Sequence, residues 1–172
     1  GLHKRGYRAI STEAPIKETL AATMADLAHV HSNHIVVDPF SGSGTLLIES
    51  ALKAMNIAPG KGRDFAAKHW KCIDENIWRM ELEKAKSEEK KDSQFEAYGF
   101  DIDKNAIALA TENANKAGVG NKIKFVKRDI RDFSLDFDRC SILTNPPYGE
   151  RLLDVEQAQK LYRIMGEKFI SK

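Results

Sequence analysis

The sequence predicts an α/β protein built on a doubly wound, mostly parallel sheet, and three observations carry that prediction. Short β-branched or aromatic runs alternate with amphipathic helical stretches. Each run ends on an acid or an amide, and the first is followed at once by a glycine turn and a helix. That order makes a parallel sheet with right-handed crossovers. At 172 residues the chain is sized for one domain with a real core.

Residues 1–14 carry His3, Lys4, Arg5, Tyr7 and Arg8 with little apolar periodicity, and read as an extended basic lead-in or interdomain segment. From Pro15 the pattern changes: Ile16, Leu20, Met24 and Leu27 recur every three or four residues. Proline suits a helix's first turn, where its missing N–H has no partner anyway, so a first helix is expected over 15–28. Residues 35–37, Ile-Val-Val, form a strand buried on both faces that stops at Asp38. "DPFSGSGTLLIESALKA" is then a turn of small residues and a helix with Leu47, Ala51 and Leu52 on one side.

The stretch 56–94 is longer than a tight connection needs and reads as an insertion. Trp70 and Trp78 are expected to pack it against the core, their N–H groups finding partners at its edge. The charged tract 79–92 is expected to be a solvated helix. A second strand over 95–100 ends in Asp101, and a helix over 104–117 carries apolar Ile107, Ala110 and Ala114, with Asp103 as N-cap and Gly118 at its C-terminal end. Residues 123–127 make a third strand ending in Arg128-Asp129, residues 140–144 a fourth ending at Asn145, and a last helix starts near Val155.

Composition narrows the class. Apolar residues at 42% and charged residues at 30% describe a globular protein, and no apolar run reaches the length of a membrane helix. Cys72 and Cys140 lie far apart with no C-x-x-C neighbour, which argues against a zinc site and a disulfide framework and for a reducing, cytoplasmic setting. The opening Gly1-Leu2-His3 reads as a cut or processed end. A net charge of +2 says little about polyanionic partners, because clustering and not the sum decides such binding.

In a doubly wound sheet, ligands gather outside the carboxyl ends of the strands. Asp38, Asp101, Asp129 and Asn145 all follow their strands immediately. In "DPFSGSGT", Gly42 and Gly44 allow positive φ and close backbone approach, and the helix start at Thr45 offers free N–H groups to a negative or polar ligand. No lysine follows the second glycine and no third glycine appears, which excludes a Walker phosphate loop and the nicotinamide fingerprint. Asp101 occupies the position from which a carboxylate accepts both hydroxyls of a ribose, and Asp129 is placed to reach an adenine amine.

The segment "ILTNPPYGER" suits a nucleobase amine. Such an amine is a poor nucleophile because its lone pair is delocalised into the ring, so a site must orient it with acceptors. Asn145 supplies a side-chain carbonyl and Pro146 a backbone carbonyl, within a turn that Pro146 and Pro147 stiffen. Tyr148 can stack on an extruded base for roughly 1–3 kcal/mol. No strong base is required: the amine attacks an electrophilic methyl held in line, by positioning and charge complementarity.

Taken together, "DPFSGSGT" and "NPPYGER" resemble S-adenosylmethionine-dependent methyltransferases that modify nucleobase amines. The framing segments "LHKRGYR", "APIKETLAA" and "NIAPGKGRDF" are similar to the bacterial ribosomal RNA large-subunit guanine methyltransferase family, whose members are often labelled adenine-specific DNA methylases. The resemblance runs from Leu2 past Arg151. It implies a Rossmann-like class I methyltransferase fold and methylation of guanine's exocyclic amine in RNA, most simply ribosomal RNA, with S-adenosyl-L-methionine as cofactor and no metal. Carried over by motif, Asp38, Phe40, Ser41, Gly42, Gly44 and Thr45 line the cofactor, with Asp101 and Ile102 at its ribose and Asp129 and Ile130 at its adenine. Asn145, Pro146, Pro147 and Tyr148 surround the target amine, with Asn145 also beside the cofactor. Thr12, Pro15 and Lys17 match the family's motif at the methionine end.

The family pattern also includes an N-terminal RNA-binding THUMP domain, and further strands completing a seven-stranded sheet. The expectation is therefore a core truncated after the fourth strand, with RNA bound mainly through the missing domain and an exposed sheet edge able to pair with another copy. An adenine-amine DNA methyltransferase and an inactive cofactor-binding fragment stay open as alternatives. Lys4, Arg5 and Arg8 with Tyr7 either hold a phosphate backbone or link to an upstream domain. Glu150 and Arg151 either touch substrate or cap the next element, and His29, His31 and His34 read as solvated.

Overall fold

A computed structural model describes residues 5–8, 16–134, 139–147 and 155–170. Four strands, β1 (Ile35–Asp38), β2 (Glu96–Asp101), β3 (Ile123–Lys127) and β4 (Ser141–Ile142), run parallel in the order β3-β2-β1-β4. The chain winds outward from β1 through β2 to β3, then returns to the other side of β1 as β4. The switch in strand order therefore falls between β1 and β4, where such sheets open a crevice.

The β-branched run of β1 is explained by its two neighbourhoods. Val36 packs with Leu47, Ile48, Ala51, Ala97, Ala114 and Ile123 on one face. Val37 packs with Phe100, Ile130, Phe133 and Met165 on the other. Helices α1 (Glu18–Leu27), α2 (Thr45–Ala54) and α4 (Lys104–Lys116) serve the first face, and α5 (Val155–Ile170) the second. α4 has the expected ends: the Asp103 carboxylate accepts from the Asn105 amide at 2.8 Å, and Gly118 takes φ +76° beyond the last turn.

Elsewhere the outcome differs from expectation. α1 starts at Glu18, with Lys17 as an extended cap at φ −69°, ψ 141°, so the expected start at Pro15 is not the helix start, and Pro15 itself lies outside the described residues. β4 pairs over Ser141 and Ile142, shorter than the expected strand over 140–144, and Thr144 beyond it bonds Asp38 through its side chain. The insertion's helix, α3 (Glu75–Ser87), buries none of its residues, Trp70 is 58% exposed, and Trp78 stacks on Phe65 within the insertion at 6.0 Å. The Trp78 indole nitrogen has no hydrogen-bond partner among the described residues. The tryptophans thus do not tie the insertion to the core. It leaves and rejoins at the end of the sheet where the strands begin, closed at its neck by the Lys90 amide on Met55 O (2.8 Å) and by Lys61 on Glu89 (2.5 Å).

The described part of the lead-in is interior structure. Tyr7 is 4% exposed within the main core, and its hydroxyl donates to Glu49 of α2 at 2.9 Å. Arg5 reaches the same carboxylate at 3.3 Å. Arg8 donates to Ile16 O (2.7 Å) and Thr45 Oγ1 (2.8 Å) and sits 3.7 Å from Glu18. These two arginines are committed inside the domain and do not offer a phosphate grip.

Candidate functional site

Asp38 ends β1 with 1% of its surface exposed. One oxygen, Oδ1, accepts from both the Phe40 amide (3.0 Å) and the Thr144 hydroxyl (2.7 Å). Burial pushes the carboxyl up to about 7, the two donors pull it down, and nearby Asp101 raises it. Because an unfolded aspartate ionises near 3.8, the folded chain keeps a proton through the window from there to about 7 that the unfolded chain has released. Stability therefore falls as pH rises through that window. Relative to Asp38→Asn, wild type is expected to lose about 2 to 4 kcal/mol between about pH 4 and about pH 8. Urea unfolding of both proteins at the two pH values reads this directly, and a constant gap between them contradicts it.

The turn after β1 is held by backbone bonds to β2 and within itself: the Ser41 amide donates to Phe100 O (2.8 Å) and the Gly44 amide to Ser41 O (2.7 Å). Its two glycines have different jobs. At Gly42, φ is +50° and an added Cβ meets nothing within 4 Å, so this backbone faces open space. At Gly44, φ is +79° and a Cβ would lie 2.9 Å from the Phe125 ring and 3.0 Å from Ala110. Gly44 is thus required by packing as well as by conformation, whereas the backbone at Gly42 is left open. Thr45 is 1% exposed, with its hydroxyl between Arg8 (2.8 Å) and Ser43 (3.0 Å). Ser41 Oγ is buried and has no partner among the described residues, an unmet polar atom in the same turn.

Asp101 ends β2 beside this turn. Its Oδ2 accepts from the Gly42 amide (3.0 Å) and its Oδ1 from the Asp103 amide (2.9 Å), while Ile102 stands 62% exposed at the strand tip. Asp129 follows β3, where the Arg131 guanidinium and amide hold its carboxyl down to about 2, with contacts of 2.5 to 3.0 Å. Ile130 is buried among Val37, Phe100 and Phe133. Of the expected cofactor contacts, then, the side chains of Thr45 and Ile130 are turned into the domain, and Phe40 packs partly against the same cluster as Ile130. Asp38, Ser41, Gly42, Asp101, Ile102 and Asp129 share the carboxyl end of the sheet. Lys17 is exposed just before α1.

The fourth corner stands next to the first. The Leu143 amide donates to Val37 O (3.0 Å) and Thr144 bonds Asp38, after which Asn145 is exposed and Pro146 and Pro147 are half-buried. The glycine turn and the amide-proline corner thus leave adjacent parallel strands at the switch point. Tyr148, Thr12, Pro15, Glu150 and Arg151 lie outside the described residues. The histidines belong to the opposite end: His34 stacks on His31 at 4.7 Å and its Nε2 meets Ser141 Oγ at 2.8 Å, so it is not simply solvated. Among the described residues no group of three or more His, Cys, Asp or Glu could hold a metal ion. Among the described residues no helix is long and apolar enough to cross a membrane.

A family model described as RMKL-like, methyltransferase domain (UPF0020), matches residues 5–172. The chain belongs to that family. It is 41% identical over 169 residues to YpsC of Bacillus subtilis (strain 168), covering 98% of this chain and 44% of YpsC. It is 44% identical over 173 residues to the ribosomal RNA large subunit methyltransferase K/L of Shewanella amazonensis, covering 98% of this chain and 24% of that enzyme. Among solved structures it superimposes on SMU.472 in complex with SAH with a TM-score of 0.91 at 41% identity, covering 98% of this chain and 44% of SMU.472. The chain therefore spans less than half the length of these relatives. Members of this methyltransferase family use S-adenosylmethionine.

Two residues of the methyltransferase domain's site region escaped the sequence reading. Thr144 sat inside an expected strand, with nothing to mark its hydroxyl. Asn113 had a signal, an amide beside the Ala110 and Ala114 stripe of α4. Fully buried, it donates to Ser43 O at 3.1 Å and steadies the glycine turn from behind.

Proposed function

We propose that this domain transfers a methyl group from S-adenosyl-L-methionine to the exocyclic amine of guanine in RNA, with ribosomal RNA as substrate. The observation that carries the reading is the juxtaposition at the switch point: the Gly42 turn beside the exposed Asn145 corner, bridged through Asp38 and Thr144. The residues present fit the cofactor. Gly42 offers an open backbone approach, Ser41 Oγ is an unmet polar group, and the Asp101 carboxylate stands at the end of β2 where ribose hydroxyls are recognised. The K/L relative's name supplies the RNA and the large subunit; the resemblance of "NPPYGER" supplies the guanine amine.

When bound, the cofactor contributes an electrophilic methyl on a sulfonium. The chain's own part is orientation. The Asn145 carbonyl and the Pro146 backbone carbonyl accept the two N–H groups of the amine and turn its lone pair toward the methyl. The same two acceptors stabilise the positive charge that develops on nitrogen, and the proton then leaves to water. Asn145→Ala is expected to lower methyl transfer by about 10²–10³-fold while SAH affinity changes by no more than about two-fold, since the lost contacts tighten only in the transition state. Calorimetry with SAH and single-turnover transfer measure the two separately. Incubation with labelled cofactor and bulk RNA or DNA, followed by mass spectrometry of nucleosides, tests the substrate. Methylguanosine from RNA supports the reading, and methyladenine from DNA replaces it.

A further inference from the structure

We propose that Asp38 and Thr144 form a positioning pair that sets the spacing between the cofactor turn and the amine-binding corner. This rests on the methyl-transfer reading above. A single oxygen, Asp38 Oδ1, takes one bond from each wall: the Phe40 amide at 3.0 Å belongs to the turn, and the Thr144 hydroxyl at 2.7 Å is one residue before Asn145. With 1% of its surface exposed, Asp38 has almost no face left for a ligand, so its work is done through its neighbours.

The corner needs such a tie. β4 pairs with β1 over two residues and adds the Leu143 amide on Val37 O at 3.0 Å. Beyond Thr144, Asn145 makes no hydrogen bond to a described residue. The Thr144 hydroxyl is therefore the last described link between the β4 exit and β1. In-line transfer needs the reacting atoms at near-attack separation, and an error of about 1 Å there costs on the order of 10²-fold in rate. A short bond through a buried carboxylate is a stiff way to hold that separation.

Among the described residues, three groups face the Asp38 carboxylate: Asp101 from β2, the Thr144 hydroxyl from β4 and the Phe40 amide from the turn. Removing the Thr144 donor takes away one of the two groups that favour the ionised form. The acid limb of the pH–rate profile then moves to higher pH in Thr144→Val and stays in place in Thr144→Ser, a shift that a loss of packing alone does not produce.

Kinetics of Thr144→Val and Thr144→Ser decide the matter. The valine variant is expected to lose about 10²-fold in single-turnover rate with SAH affinity within about two-fold of wild type, and the serine variant to recover to within about three-fold. Wild-type rates in the valine variant, an unmoved acid limb, or a loss of SAH affinity as large as the loss of rate would each overturn the pair. Amide exchange gives a readout free of turnover: protection of the Phe40 and Leu143 amides is expected to fall by about tenfold or more in Thr144→Val and to survive in Thr144→Ser. A wild type that binds SAH but methylates neither RNA nor DNA defeats the methyl-transfer reading. Exchange alone then decides the pair, and unchanged protection refutes it.

Discussion

Gly99→Val is expected to destabilise the domain by about 3 kcal/mol or more, at the upper end of what overpacking costs. Gly99 lies inside β2, opposite Asp38 of β1 and Phe125 of β3. A Cβ there would fall 2.5 and 2.6 Å from two Phe125 ring carbons and 2.9 Å from Leu47 Cδ1. The same ring underlies Gly44, so one phenylalanine fills the space left by two glycines from different parts of the chain. With α2 on one side and the sheet on the other, the ring cannot swing clear without lifting the helix whose first residue closes the glycine turn. Urea unfolding should show the loss, and SAH affinity should fall with it. Phe125→Ala added to Gly99→Val should recover part of the deficit, since the two changes share one volume. A Gly99→Val protein within about 1 kcal/mol of wild type would mean the ring is not where it is described.

Glu49→Ala is expected to cost about 3 to 5 kcal/mol, the penalty for leaving a buried partner charge uncompensated. Glu49 is 3% exposed, and its two oxygens serve the Tyr7 hydroxyl at 2.9 Å and the Arg5 guanidinium at 3.3 Å. Alanine would strand an Arg5 side chain that is 15% exposed and a tyrosine hydroxyl already inside the core. Burial, the largest influence, raises the Glu49 carboxyl above its ordinary value; the bonds from Tyr7 and Arg5 oppose it. Glu49→Gln leaves Arg5 equally without its counter-charge but keeps an acceptor for Tyr7, and should therefore cost less than Glu49→Ala by about 1 kcal/mol, the worth of the retained hydrogen bond. Equilibrium unfolding of the two variants separates lost satisfaction from lost charge. Equal costs would show that Arg5 attraction, and not the acceptor for Tyr7, governs the contact.

What could be read in advance was local. A β-branched triplet ending in Asp38, paired glycines before Thr45, and Asp103 or Gly118 at the ends of α4 each announce a backbone state through neighbours a few residues away. Features built across the chain gave no such notice. That Gly44 answers to Phe125 follows only from the strand order, and that Thr144 turns its hydroxyl to Asp38 follows only from β4 lying next to β1. The lead-in's arginines read equally well as RNA grips because their carboxylate partners, Glu18 and Glu49, sit in helices with no mark of burial. Trp70 and Trp78 misled for the opposite reason: size alone suggested interior packing, yet Trp70 is 58% exposed and Trp78 stacks on Phe65 inside the insertion.

The neck of the insertion has a practical consequence for anyone reshaping the domain. The excursion departs and returns at one neck, where the Lys90 amide donates to Met55 O at 2.8 Å, and α3 between those points buries none of its residues. The loop-closure cost of what hangs there grows only slowly with length. The stretch between Ile57 and Glu88 is therefore a natural socket: a short glycine-rich bridge, a fluorescent reporter or an affinity handle could be spliced in without disturbing β1, β2 or the bend they support.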